Sequence, residues 1–301
     1  MKVSVIIPTY NGSKKITNIL SSLSKQTYQD FEVIVIIDGS TDNTLSILNS
    51  NEFNLPKIKI ISQENKGRGS ARNTGANIAE NELLIFFDDD ILPEENCIEL
   101  HVSNHLKYQD STIIGTCRMD IKHFPATDFI NYRYSVEDKW QTPYKNRITK
   151  ISFNRYSFTT ANMSIPKGLF TKIGGFDNRL NDSEDFDFSI KLLLNNTYIF
   201  FDYSIWAWHC DYTNIIGYIK RQKEYFDSKD KLAELKPEYV KLIPSHFSRK
   251  EVSQIKFIFS RLFRYNFFWH SVLKGTIFLY LIPKKIRYML YDKIIFSSSI
   301  R

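Results

Sequence analysis

Three consecutive carboxylates, Asp88, Asp89 and Asp90, follow directly on the apolar run Leu83–Phe87. Side by side they repel one another unless a positive charge compensates them. Oxygen donors at the end of a buried strand suit Mg2+ or Mn2+, held jointly with the phosphates of a substrate. The plainer alternative is a solvated acidic turn. A second acidic pair, Glu184 and Asp185, opens a stretch of helical spacing, where the positive end of the helix dipole favours carboxylates. That pair is either a charged first turn or a carboxylate placed for proton transfer. His209 follows the run Ile205–Trp208 and is either a hydrogen-bonded structural histidine or a further ligand.

Such residues act together only if the chain brings them to one edge. The first ninety residues alternate short β-branched runs with helix-like stretches, the pattern of βαβ units and a mainly parallel sheet. Val3–Ile7, Val33–Ile37, Ile58–Ile61 and Leu83–Phe87 are expected as strands. Between them, helices are expected over Ser13–Gln26, around Leu45 and Leu48, and over Gly69–Ala79, whose small residues allow close packing on the sheet. In an open α/β sheet, ligands sit beyond the carboxyl ends of the strands. The loops Pro8–Gly12, Asp38–Ser40, Gln63–Gly67 and Asp88–Asp90 therefore converge. Pro93 and Glu94 should open a helix through Tyr108, followed by a strand at Thr112–Thr116. Residues 120–155 have weak periodicity, which suits a substrate-facing insertion. Helices are expected over Glu184–Leu194 and Ile215–Leu235, and two strands over Tyr198–Phe201 and Ile205–Trp208.

Six motifs in order resemble the family 2 glycosyltransferases with the GT-A fold: VSVIIPTYNG at 3–12, IDGSTDNT at 37–44, NKGRGSARNTG at 65–75, FFDDD at 86–90 with Pro93, GGFD at 174–177 and EDFDFSIKL at 184–192. The similarity extends over about residues 1–215 and implies a nucleotide-diphosphate sugar donor, most simply a UDP-sugar, a D-x-D metal motif with Mn2+ or Mg2+, and inversion at the anomeric carbon. It places Pro8, Thr9 and Tyr10 against the nucleotide, with Asn11 and Gly67 in the same loops, and Asp38 against the base. Many relatives carry two aspartates where this chain has Ile37 and Asp38. Arg72 would contact base or phosphate, against the alternative of an exposed helix arginine. Asp88 falls near the ribose, Asp90 on the metal and Asp89 between them, with Asp88 and His209 as further metal ligands. Asp185, with Glu184 beside it, becomes the general base of a hexosyltransferase. The resemblance implies cell-surface polysaccharide or glycolipid synthesis on a saccharide or lipid-linked acceptor.

Composition bounds the alternatives. A chain of 301 residues, 43% hydrophobic and 24% charged, can bury a sizeable core. Its three cysteines offer neither a disulfide framework nor a structural zinc site and fit a reducing cytosol. No secretory h-region precedes the first strand. From Lys250 onward ten Lys/Arg stand against two Asp/Glu, a balance of +8 that exceeds the whole chain's net charge of +7 and leaves the rest at −1, and the same segment holds twelve of the chain's aromatic residues. The expected organisation is a GT-A domain over 1–235, with nucleotide-binding (1–115) and acceptor-binding (116–235) halves, and a helical basic and aromatic extension over 236–301. Asn266–Ile282 is too short and too interrupted to span a bilayer. Flanked by Arg261, Arg264, Lys284, Lys285 and Arg287, it should lie on an anionic membrane surface, placing the protein peripherally on the inner face of the cell membrane. No P-loop motif is present, and PTYNG lacks the basic residues a sugar-nucleotide pyrophosphorylase needs. The remaining rival is a noncatalytic nucleotide or nucleic-acid binder using the tail. It leaves the ordered acidic motifs unexplained, so no nucleic-acid partner is expected.

Overall fold

The computed structural model describes residues 1–50, 53–124, 127–145, 148–153, 158–247, 262–265, 268–269 and 281–299. It divides into two compact units, Met1–His123 with Glu137–Asp211, and Phe124–Val136 with Tyr212–Arg301.

Among the described residues the first unit is built on a nine-stranded sheet: β1 (Val3–Thr9), β2 (Phe31–Asp38), β3 (Ile58–Gln63), β4 (Leu83–Phe87), β5 (Ile91–Pro93), β6 (Ser111–Met119), β7 (Ile148–Lys150), β8 (Asn162–Pro166) and β9 (Tyr198–His209). Their order is β3-β2-β1-β4-β8-β6-β9-β5, with β7 also on β9. β3, β2, β1 and β4 run parallel, and β8 turns antiparallel between β4 and β6. β1 and β2 are buried throughout, which accounts for their mainly apolar sequences. Side chains alternate across the sheet with period two. Val5, Ile7, Val33, Val35, Ile85 and Phe87 face α1 (Ile16–Leu23), α2 (Thr44–Ser50) and, beyond α3 (Arg68–Ile78), α4 (Cys97–Lys107). Ile6, Ile34, Ile36, Leu84 and Phe86 face α3 itself and two helices that lie beyond α5 (Asp128–Gln141), namely α6 (Lys167–Ile173) and α7 (Glu184–Leu194). α1 buries Ile16, Ile19, Leu20 and Leu23, each worth about 1.5–3 kcal/mol. Gly75 lets α3 close on the sheet, since a Cβ there would lie 2.4 Å from Ile6 Cγ2.

The second half departs from the sequence expectations in ways that shape the site. Pro93 and Glu94 do not open a helix; Ile91–Pro93 pairs antiparallel with β9, Ile91 opposite His209. The two strands expected at 198–208 are one, kept continuous by a bulge where Gly115 faces Asp202 but Thr116 faces Trp206. Residues 120–155 contain α5 and β7 rather than irregular chain alone. Asn162, fully buried, pins the bulge by donating from Nδ2 to Thr116 O (2.9 Å) and Ile205 O (3.1 Å), while its Oδ1 accepts from His101 Nε2 at 2.8 Å. Beyond the bulge the register brings Met119 opposite His209. A Cβ on Gly115 would meet Asn162 Nδ2 at 2.3 Å and Ile205 O at 2.6 Å. Gly115→Ala is therefore expected to cost about 1–3 kcal/mol, the range for overpacking a tight core. A fall in melting temperature measures it, and an unchanged melting temperature would mean the bulge has slack.

In the second unit, Phe129 and Tyr132 from α5 pack with Tyr291 and Ile295, against Tyr218 and Ile219. The latter two belong to α8 (Ile215–Leu235), which precedes α9 (Pro237–Leu242) and α10 (Pro244–Phe247); Tyr291 and Ile295 belong to α11 (Lys284–Ser299). Asn214 caps α8, its side chain accepting from Gly217 N at 3.0 Å. Arg287 does not serve as a free flanking charge: it is buried and its Nη2 lies 2.9 Å from Asp128 Oδ1. Of the stretch Asn266–Ile282, residues 266, 267 and 270–280 lie outside the described residues, as does Arg261. Among the described residues no helix is long and apolar enough to cross a membrane.

Candidate active site at the carboxyl edge of the sheet

β4 delivers the acidic triplet, and the structure supplies the compensating charge that three adjacent carboxylates require. Asp89 is buried; its Oδ2 accepts from Thr9 Oγ1 at 2.7 Å at the end of β1. Lys15, immediately before α1, places Nζ 3.2 Å from Asp89 Oδ1 and 3.4 Å from Asp90 Oδ2. His209, delivered by β9, sets Nε2 3.4 Å from Asp90 Oδ1. Burial opposes ionisation of Asp90, but His209 and Lys15 outweigh it and hold the carboxyl well below the usual carboxylate range. Burial likewise works against a charged His209, and Asp90 reverses this, raising the imidazole above its ordinary value. Asp89 moves the other way, pushed up by burial against the pull of Lys15.

Asp90 Oδ1 is buried without a hydrogen-bond partner. An unsatisfied carboxylate oxygen beside an imidazole nitrogen is a donor pair that fits Mn2+ or Mg2+. Among the described residues no three His, Cys, Asp or Glu side chains group to hold a metal, so the remaining ligands would come from water and a diphosphate.

Asp88 lies at the other end of the triplet, in a second network. Arg72, on α3 and only 1% exposed, bridges Asp88 Oδ1 (Nη2, 2.6 Å) and Glu184 Oε1 (Nη1, 2.9 Å), and its guanidinium carbon lies 5.6 Å from the Phe176 ring centroid. The exposed helix arginine is thereby excluded: Arg72 ties the end of β4 to the start of α7. Arg68 extends the ladder, pairing with Asp182 and lying 3.6 Å from Glu184 Oε1 through Nε. Buried Glu184 is thus held by two arginines and is spoken for as an anchor. Asp185 takes the neighbouring position, half-buried, its Oδ1 accepting from Phe186 N at 2.7 Å. Burial first, then the adjacent Glu184, push its carboxyl up to about 7, with Arg68 and Arg72 pulling the other way. A carboxyl poised near neutrality can take a proton and release it at working pH.

The loops after β1 and β2 close the edge. Asp38 is buried, and its carboxylate accepts from Gln63 Nε2 (2.7 Å), Lys66 N (2.9 Å) and Gly67 N (2.8 Å). It thereby fixes the β3–α3 loop, leaving one lone-pair direction of about four for another donor. Gly67 adopts φ 86°, a left-handed conformation that favours glycine. Asn11 accepts through Oδ1 from Thr41 N at 2.8 Å, and its own N donates to Ser40 Oγ at 2.9 Å, joining the first two loops. Pro8 is buried within β1 opposite Ile36, whereas Tyr10 is 51% exposed.

Asp89 and Asp90 thus share Lys15, with Thr9 on Asp89 and His209 on Asp90, and Asp88 and Glu184 share Arg72. Lys15 escaped the sequence reading, and Arg68, which stands where relatives often have Pro, carries no role in it. The only signal for Lys15 was the need of the aspartate triplet for a compensating charge, which does not say which of many lysines supplies it.

Residues 4–174 match the family model described as "Glycosyl transferase family 2". The chain is 30% identical over 192 residues to chondroitin synthase of Escherichia coli, an alignment covering 63% of this chain and 26% of that protein. The first curated relatives are matched over less than a third of their own length. Among solved structures, S. aureus TarS 1-349 in complex with UDP superposes with a TM-score of 0.56 at 20% identity, covering 99% of this chain and 89% of that one. The mannosyltransferase PcManGT from Pyrobaculum calidifontis, in complex with GDP-Man and Mn2+, superposes with a TM-score of 0.65 at 15% identity, covering 99% and 86%. At such identities these structures establish the fold, an α/β GT-A architecture with helices on both faces of the sheet.

Proposed function

The chain belongs to glycosyl transferase family 2, and from that premise we propose that it is an inverting, divalent-metal-dependent hexosyltransferase using a UDP-sugar. The observation that carries the mechanism is Asp185 at the start of α7, its carboxyl pushed up to about 7 beside an Arg72 bridge that runs to Asp88. The bridge fixes α7 against β4, so the base and the donor-binding aspartates keep one geometry. Asp185 takes the proton of the acceptor hydroxyl as its oxygen attacks the anomeric carbon from the face opposite the leaving diphosphate. Thr9, Tyr10, Asn11 and the loop fixed by Asp38 receive the nucleotide. The remaining lone pair of Asp38 accepts from a base N–H, and Asp88 faces the ribose. Asp90 and His209, with Asp88 beside them, would hold Mn2+ or Mg2+, which when bound neutralises charge on the departing diphosphate. The UDP of the TarS complex supports the donor, the Mn2+ of the PcManGT complex the metal, and the similarity to chondroitin synthase a saccharide acceptor in polysaccharide synthesis. Screening a panel of nucleotide sugars for release of nucleoside diphosphate tests the reading; a chain that turns over none of them, with Mn2+ present and acceptors varied, would refute it.

The tail belongs to the same proposal. α11 exposes Ile286, Met289 and Phe296 beside Lys284, Lys285 and Lys293, a pairing of apolar and basic side chains that suits the surface of an anionic bilayer on the cytoplasmic side, where a lipid-linked acceptor would be presented. The full chain is expected to sediment with anionic liposomes and less so at high salt. Equal sedimentation with neutral liposomes would remove the electrostatic anchor.

A further inference from the structure

Lys15 sits at the metal position, and the proposed reaction leaves it without a task. Its ammonium is within 3.4 Å of both Asp89 and Asp90, yet the side chain is 40% exposed and starts from the turn before α1, so it can move outward. Asp89 is secured from the far side by Thr9 and keeps its place without Lys15. Asp90 presents one oxygen to Lys15 and the other, buried without a hydrogen bond, to His209 at 3.4 Å. A divalent ion on the second oxygen would bring three positive charges onto one carboxylate pair. Repulsion at that range is large in a partly buried site, and only an incoming anion relieves it.

We propose that Lys15 is the resident counterion of the metal position: it occupies the Asp89–Asp90 pair while the donor is away, disfavours a divalent ion alone, and passes to the diphosphate when metal and nucleotide enter together. The inference rests on Asp90 as the metal-holding residue. The transfer gives the ammonium a second partner of like charge to the first, so it changes anions without becoming unpaired in a partly buried place. It also leaves a cation on the leaving diphosphate, which makes Lys15 a leaving-group residue.

The test uses the full chain and reads binding rather than turnover. Free Mn2+ is followed by its paramagnetic resonance signal without nucleotide, and UDP affinity by calorimetry at saturating Mn2+. Lys15→Gln is expected to bind Mn2+ alone about tenfold more tightly, and UDP with Mn2+ about tenfold more weakly, the worth of one charge-assisted hydrogen bond. Lys15→Arg keeps the charge and should retain the weak metal-only binding, which keeps the test usable if the glutamine variant misfolds. Unchanged or weaker Mn2+ binding by folded Lys15→Gln overturns the proposal, as does a gain in metal-only affinity by Lys15→Arg equal to that of glutamine. Wild-type protein that binds UDP but takes up no Mn2+ with it would instead strike down the metal assignment, and this inference with it.

Discussion

Asp90→Ala is expected to abolish metal-dependent donor binding and to reduce sugar transfer to background. Asp90 is the carboxylate shared by Lys15 and His209, and its buried Oδ1 has no hydrogen-bond partner. Removing it takes away the anchor that a metal and diphosphate would share, while Lys15 keeps Asp89 as a partner. The fold should survive, because Asp90 is at the sheet edge outside the apolar clusters. Chelation of the wild-type enzyme should reproduce the loss, and added Mn2+ should restore only the wild type. Full activity of Asp90→Ala in chelator would remove the metal assignment.

Asp185→Asn keeps the shape of the side chain and removes its basicity. Nucleotide affinity is expected to survive while transfer falls by about two to four orders of magnitude, the usual worth of a general base. The pH dependence supplies a second signature. With the carboxyl at about 7 in the folded protein, the working, deprotonated form accumulates as pH rises through neutrality. Wild-type kcat/KM should therefore climb with an apparent pKa near that value, and the variant should lose this limb. Stability moves oppositely. A carboxyl whose folded pKa exceeds its unfolded one favours folding at low pH, and that contribution is lost as pH rises through about 7. Asp185→Asn should thus raise the melting temperature relative to wild type more at pH 8 than at pH 5. Near wild-type transfer by Asp185→Asn would move the base to another carboxylate. Glu184, held by Arg72 at 2.9 Å, is a poor substitute.

Local pattern was a good guide where one element is governed by its own residues. The runs of β1, β2 and β4 are mainly apolar because those strands are buried, and α7 and α8 begin and end at Glu184–Leu194 and Ile215–Leu235 as their spacing indicates. It was a poor guide where distant residues decide. β8 is a five-residue strand with a polar start, and it owes its place to antiparallel neighbours on both sides. β9 stays one strand across the Asp202–Ile205 interruption because Asn162 and Gly115 accommodate the bulge. Residues 124–136 group with the C-terminal chain, a partnership between aromatic residues more than 150 positions apart, such as Tyr132 and Tyr291. At the site, the motifs named the aspartates and Arg72, but not that Arg72 is buried between two of the acids. A salt bridge is a property of two remote positions, and Lys15 and Asp89 are 74 residues apart.

Inversion is the step on which the roles of Asp185 and the sheet-edge aspartates depend together, and the anomer released at early times reports it. With an α-linked UDP-sugar and water as acceptor, proton NMR before mutarotation should show the β-sugar as first product. The α-sugar as first product would mean retention, and a single base on the face opposite the diphosphate could not be the mechanism.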